Sequence, residues 1–82
     1  MVERHPSLRS LEIFVHAARH LSFGKAAAKV NLSPSAVSRR IRALEKELGA
    51  ALFVRRSKSV ELTTVGTQYF ASLSPAFLTI HQ

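Results

Sequence analysis

Apolar positions recur at helical spacing in four stretches of this chain, and between residues 52 and 62 they shorten to strand-like runs. Leu8, Leu11, Phe14, Val15, Ala18 and Leu21 make the inner face of a helix from Leu8 to about Leu21, with Ser7 as its N-cap. A second, shorter helix begins after Ser22, turns Phe23, Ala26, Ala27 and Val30 inward, and ends near Asn31. The link from Asn31 to Ser33 is tight. Asparagine tolerates the left-handed conformation that reverses the chain, and Leu32 is the apolar pin between the two helices. Small residues suit the crossing, since a side chain larger than Ala27 pushes the helices apart. Two helices joined by so short a turn form a helix-turn-helix unit.

The third helix has the clearest boundaries. Ser33 is placed to cap its free amides, Pro34 suits the first helical position, where no N–H is needed, and Gly49 suits the left-handed stop. Val37, Ile41, Leu44 and Leu48 fall on one narrow stripe. Ser35, Ser38, Arg39, Arg42 and Lys46 gather opposite, with no carboxylate among them. A helix that is apolar behind and short-polar plus cationic in front suits a DNA major groove. Arg39 is the candidate for a base edge or a phosphate, whereas Arg42 and Lys46 lie further along and suit phosphates. Arg40 sits at the flank, within reach of Glu47 or the DNA backbone. Glu45, at the edge of the buried stripe, is expected to be a structural hydrogen-bond or ion-pair partner.

After Gly49, the runs Leu52-Phe53-Val54 and Val60-Glu61-Leu62 flank a polar loop and predict a small hairpin, or wing. Arg55, Arg56 and Lys58 are its cations, placed for phosphate or minor groove. Thr63 or Thr64 then caps a last helix bearing Tyr69, Phe70, Leu73, Ala76, Phe77 and Ile80. That stripe is longer than a three-helix core covers, which points to a partner helix and a homodimer, with Tyr69, Phe70, Leu73, Phe77 and Ile80 as dimerisation residues. Pro75 is expected to kink or restart this helix, with Ser74 as a second cap.

Charge sharpens the picture. The net +7 divides into +3 over residues 1–33, +5 over 34–58 and −1 over 59–82. Such focusing implies a polyanionic partner bound by phosphate neutralisation and counterion release. At 82 residues the chain is one small domain, and folding at this size buries about 60–65% of the unfolded surface. There is no cysteine for disulfides or thiolate metal sites. No segment approaches the ~20 apolar residues of a membrane span, and the start does not resemble a signal peptide. A soluble, cytoplasmic protein is expected.

His16 and His20 have the i, i+4 spacing of zinc-hydrolase helices, but Ala17 stands where that chemistry needs a glutamate base. With Arg9 on their face and no third carboxylate ligand expected there, they are read as surface histidines. No metal site, cofactor or catalytic constellation is predicted. A protein-binding winged helix would not need the basic front of the third helix. A membrane-surface protein would keep an apolar face open to lipid, and here those faces are committed to core and dimer.

The chain resembles the DNA-binding domain of LysR-type bacterial transcriptional regulators. The resemblance runs from about Leu8 to Gly66 and rests on Ser22-Phe23, Ala26-Ala27, Ser38, Ile41, Leu44-Glu45, Leu48-Gly49, Leu52-Phe53, Arg55, Leu62-Thr63 and Gly66. The run ARHLSFGKAA at Ala18–Ala27 is similar to the branch containing glycine-cleavage and β-lactamase-gene activators. The resemblance implies a mainly α fold, a winged helix-turn-helix of three helices plus a short β-hairpin wing (residues 1–63), followed by a C-terminal linker and dimerisation helix (64–82). It also implies two recognition helices in successive major grooves of an interrupted palindrome. By position, Ser35, Ser38 and Arg39 match family residues at the groove, and Arg55 and Lys58 match wing cations. With the first turn, Ser33 and Pro34, and with Arg42, Lys46 and Arg56, these form the expected DNA-binding set. Three departures stand out. Pro34 replaces a frequent Gln, Lys58 a frequent Arg, which keeps charge but loses planar insertion, and Val65 a usual Ala. Family members continue into an effector-sensing domain absent from this chain, so an excised or truncated DNA-binding domain is expected.

Overall fold

The computed structural model describes residues 6–57 and 59–81, with side chains through Leu73 and at Pro75. Helix α1, Leu8–His20, starts where Ser7 Oγ accepts the Ser10 N–H at 3.0 Å. It stops at Leu21, held left-handed at φ 50°, whose N–H reaches the Ala17 carbonyl. Leucine in this conformation costs about 1–2 kcal/mol. The Leu21 carbonyl also accepts the Val60 N–H at 3.4 Å, which ties the end of α1 to the hairpin.

Helix α2, Phe23–Val30, is capped by Ser22 through the Lys25 N–H and ends at Asn31, left-handed at φ 60° as its sequence position requires. Helix α3, Pro34–Leu48, starts with Ser33 Oγ accepting the Ala36 N–H at 3.1 Å and closes on Gly49 at φ 74°. Each of the three starts with serine as an oxygen acceptor for an otherwise orphan amide.

The core is built around α1, which packs against α2, α3 and the last helix. A helix contacted from three sides buries more than one stripe. Ile13 and Ala17, outside the single face read from the sequence, are therefore fully buried beside Phe14, Val15 and Ala18. Leu8, read as an inner residue, is 70% exposed because it lies in the first turn, and Leu21 is also exposed. Ala26 and Ala27 are buried at the close crossing, and Val37, Ile41 and Leu44 are the buried back of α3. Arg9 reaches from α1 to the Val30 carbonyl, placing a cation at the C-terminal end of α2, where the helix dipole favours it.

Strands β1, Phe53–Arg55, and β2, Val60–Leu62, pair antiparallel with Phe53 opposite Leu62, Val54 opposite Glu61 and Arg55 opposite Val60. Phe53 and Arg55 share the inward face by the two-residue period, while Val54 faces out. The last helix, α4, spans Thr64–His81. Thr63 is its cap: Oγ1 accepts the Gly66 N–H at 2.9 Å and donates to the Ala51 carbonyl at 2.7 Å. Helix α4 continues through Pro75, so the restart expected at Ser74 does not occur. Proline has no N–H to donate to the Ala71 carbonyl four residues earlier.

The dimerisation stripe is not wholly uncovered. Tyr69, Phe70 and Leu73 are half-buried against the domain's own core. Phe14 is the reason: its ring meets Tyr69 at 5.3 Å, Phe70 at 6.4 Å and Phe53 at 5.6 Å between centroids, joining α1, α4 and the hairpin. The side chains of Phe77 and Ile80 lie outside the described residues. Among the described residues, no helix is long and apolar enough to cross a membrane.

Candidate nucleic-acid interface

Two elements carry the candidate site: the outward face of α3 and the hairpin beside it. Burial of Val37, Ile41 and Leu44 fixes the rotation of α3 and turns Arg39, Arg42 and Lys46 to solvent, all three exposed. None of them, nor Arg40, has a carboxylate within ion-pair distance among the described residues. Arg40 thus does not pair with Glu47. At the start of the helix, Ser33, Pro34 and Ser35 are exposed, with the Ser33 and Ser35 hydroxyls 3.2 Å apart. Of the ridge predicted on α3, Ser35, Arg39, Arg42 and Lys46 are exposed, whereas Ser38 is half-buried against the hairpin.

Glu45 explains why the ridge stays cationic. Its carboxylate turns back from the exposed face, and Oε2 accepts the N–H of Leu52 at 2.8 Å and of Phe53 at 3.2 Å. The acid nearest the front of α3 is thus spent on fixing the first residues of the hairpin. This is the structural role expected for it.

Arg55 occupies a different place from an open wing cation. It is half-buried, its guanidinium 4.9 Å above the Phe23 ring centroid. Nη1 donates to Ser38 Oγ at 3.0 Å, and Nη2 stands 3.6 Å from Glu45 Oε1, an ion pair too long for a hydrogen bond. Burial lowers the pKa of this guanidinium and Arg42 nearby lowers it further, against the opposing pull of Glu45. It stays charged, since an arginine titrates far above neutrality. Strand alternation is the sequence signal for this placement, because it puts Arg55 on the same face as buried Phe53. The network of Arg55 with Ser38, Glu45 and Phe23 was not read from the sequence.

The rest of the hairpin is more open. Arg56 is exposed and pairs with Glu61 at 3.2 Å across the strands, while its N–H closes the turn onto the Ser59 carbonyl at 2.8 Å. Lys58 lies outside the described residues. Elsewhere, the His16 and His20 rings lie nearly parallel with centroids 6.3 Å apart. Glu12, one turn before His16, is the carboxylate the sequence reading overlooked on this helix, and it is paired with Arg9 at 3.0 Å. Among the described residues, no group of three or more His, Cys, Asp or Glu is placed to hold a metal ion.

The sequence and the fold both have counterparts among known proteins. The chain is 48% identical over 75 residues to the HTH-type transcriptional regulator DsdC of Escherichia coli K12, covering 92% of this chain and 24% of that protein. It is 44% identical over 77 residues to the glycine cleavage system transcriptional activator of the same strain, covering 94% of this chain and 25% of the activator. It thus spans about a quarter of the length of these relatives. The fold superposes on the BenM DNA-binding domain from its crystal structure with benA site 1 DNA with a TM-score of 0.81 at 34% identity, over 93% of this chain and 85% of that one. Residues 8–67 match the family described as bacterial regulatory helix-turn-helix proteins of the lysR family. The chain belongs to the LysR family of bacterial regulatory helix-turn-helix proteins.

Proposed function

We propose that this chain is a sequence-reading, duplex-DNA-binding head of a transcription regulator rather than an enzyme. The observation that carries the reading is the front of α3, where Arg39, Arg42 and Lys46 are exposed and unneutralised while Glu45 faces the hairpin. In this reading α3 enters the major groove with Ser33, Pro34 and Ser35 at its leading end. Arg39 is the side chain long enough to reach a base edge, and a bidentate contact to guanine discriminates by about 1–3 kcal/mol. Arg42 and Lys46 hold phosphates, and the hairpin loop with Arg56 and Lys58 lies on the backbone or minor groove. The BenM structure, a similar domain crystallised with DNA, supports DNA as the partner.

Residues 1–63 act as the reading head, and the segment 64–82, which contains α4, pairs two copies, so that two α3 helices meet half-sites of an interrupted palindrome about one helical turn apart. The apolar continuation of α4 through Phe77 and Ile80 supports that pairing. The working compartment is the bacterial cytoplasm.

Selection of bound sequences from a random duplex library tests the reading. A two-fold symmetric, interrupted consensus is expected. If each subunit neutralises ~4–6 phosphates, log affinity for that consensus falls with log salt at a slope of about −7 to −11 per dimer. Equal affinity for the consensus and for random duplex, or a slope shallower than about −3, refutes the proposal.

A further inference from the structure

Ser38 and Arg55 form one hydrogen-bonded unit at the junction of α3 with the hairpin, and its polarity is set. Arginine has donors only, so in the 3.0 Å bond from Arg55 Nη1 the Ser38 oxygen is the acceptor. The Ser38 hydroxyl hydrogen takes no acceptor among the described residues, which leaves it available to an incoming group. A helical serine commonly turns this hydrogen back to the carbonyl four residues earlier. Here the Arg55 bond occupies the oxygen from the hairpin side instead.

We infer that Arg55 is a positioning residue for DNA reading: it fixes Ser38 as an outward hydrogen-bond donor and makes no DNA contact of its own. This rests on the DNA-binding reading above and assigns Arg55 a different part in it from that of a wing cation. Three contacts hold the guanidinium in place: the Phe23 face at 4.9 Å, Ser38 Oγ at 3.0 Å and the Glu45 carboxylate at 3.6 Å. They tie β1 to both helices of the helix-turn-helix, so wing and α3 present one rigid edge. With Nη1 bonded to Ser38 Oγ and Nη2 buried beside Glu45 without a hydrogen bond, the guanidinium is held inside the fold and is poorly placed to release a phosphate counterion. The group Ser38 selects is a hydrogen-bond acceptor on DNA, either a phosphate oxygen or an acceptor on a base edge.

The test is a double-mutant cycle on the 82-residue chain, using the duplex consensus selected for the wild type and a scrambled duplex. S38A is expected to weaken consensus binding about 3–10-fold, as loss of one hydrogen bond does. R55Q is expected to weaken it by a similar factor, and S38A/R55Q by little more than the worse single change. The salt slope of R55Q is expected to match wild type, whereas that of R42A becomes shallower by about one per subunit. R55K, which keeps the charge but not the planar fork, is expected to recover part of the R55Q loss. It also keeps the test sharp if R55Q melts early by circular dichroism. Loss confined to one base position assigns the acceptor to a base; equal loss on both duplexes assigns it to a phosphate. Additive losses of S38A and R55Q, or a shallower slope in R55Q or R55K, overturn the inference while leaving DNA binding intact. A wild-type chain that selects no sequence overturns both.

Discussion

Gly66 and Leu52 stand so close that a side chain on the first would enter the backbone of the second. A Cβ placed on Gly66 would lie 2.1 Å from the Leu52 carbonyl oxygen and 3.0 Å from its carbon. The same carbonyl accepts the Thr63 N–H at 3.0 Å, and Thr63 Oγ1 caps α4 through the Gly66 N–H. The first turn of α4 is thereby fused to the entry of the hairpin. Its direction is set by backbone contact rather than by adaptable side chains.

Gly66→Ala is therefore expected to destabilise the domain by about 3 kcal/mol, at the upper end of overpacking costs, because backbone must move. Urea unfolding followed by circular dichroism measures this. A loss below about 0.5 kcal/mol, the range of ordinary surface changes, would show that the two segments are not locked.

Glu45 holds two amides of the chain entering β1. Glu45→Ala leaves the Leu52 and Phe53 N–H groups without their acceptor, and about 1–3 kcal/mol is expected for groups so left. Glu45→Gln keeps an acceptor oxygen and should cost less. Amide hydrogen exchange checks the mechanism, since Leu52 and Phe53 should lose protection first in the alanine variant. Uniform loss of protection across the domain would contradict it.

Burial first, and the Glu47 charge second, push the Tyr69 phenol above its ordinary value of 10.0. The unfolded chain consequently ionises this phenol first. The stability it contributes is complete below the unfolded-state value and is lost as pH rises through the folded-state one. Tyr69→Phe keeps the ring against Phe14 and is expected to flatten the decline of the melting temperature above pH 10. An identical alkaline decline in the variant would remove Tyr69 from the explanation.

The helical boundaries were legible because local chemistry decides them. Serine caps before three helices, Asn31 and Gly49 at left-handed stops, and alternation around Phe53 all act within a few residues. The cationic front of α3 was legible for the same reason, as one helix period sorts it from the buried stripe. What depends on tertiary neighbours was not. Ile13 and Ala17 are buried because α1 is enclosed on several sides, which periodicity along one helix does not report. Arg55 was read as an open cation because composition shows its charge, whereas its partners Ser38, Glu45 and Phe23 come from two other elements. Tyr69 and Phe70 were assigned to a partner because nothing local shows that Phe14 reaches them first.

Leu73 serves the domain's own core, so replacing it confounds pairing with folding. Phe77→Lys with Ile80→Lys alters the distal stripe instead. A folded monomer by light scattering is expected, with consensus affinity well below wild type. Unchanged mass would exclude α4 as the pairing helix.

A titration of the isotope-labelled chain with its selected duplex, followed by amide and arginine side-chain NMR signals, addresses the cationic face of α3 most directly. The largest changes are expected at residues 33–46 and in the hairpin loop from Arg56 to Ser59, with Arg39 and Arg42 side chains among them. A footprint that spares α3 and falls instead on the α1 face of Glu12, His16 and His20 would contradict the proposed mode of binding.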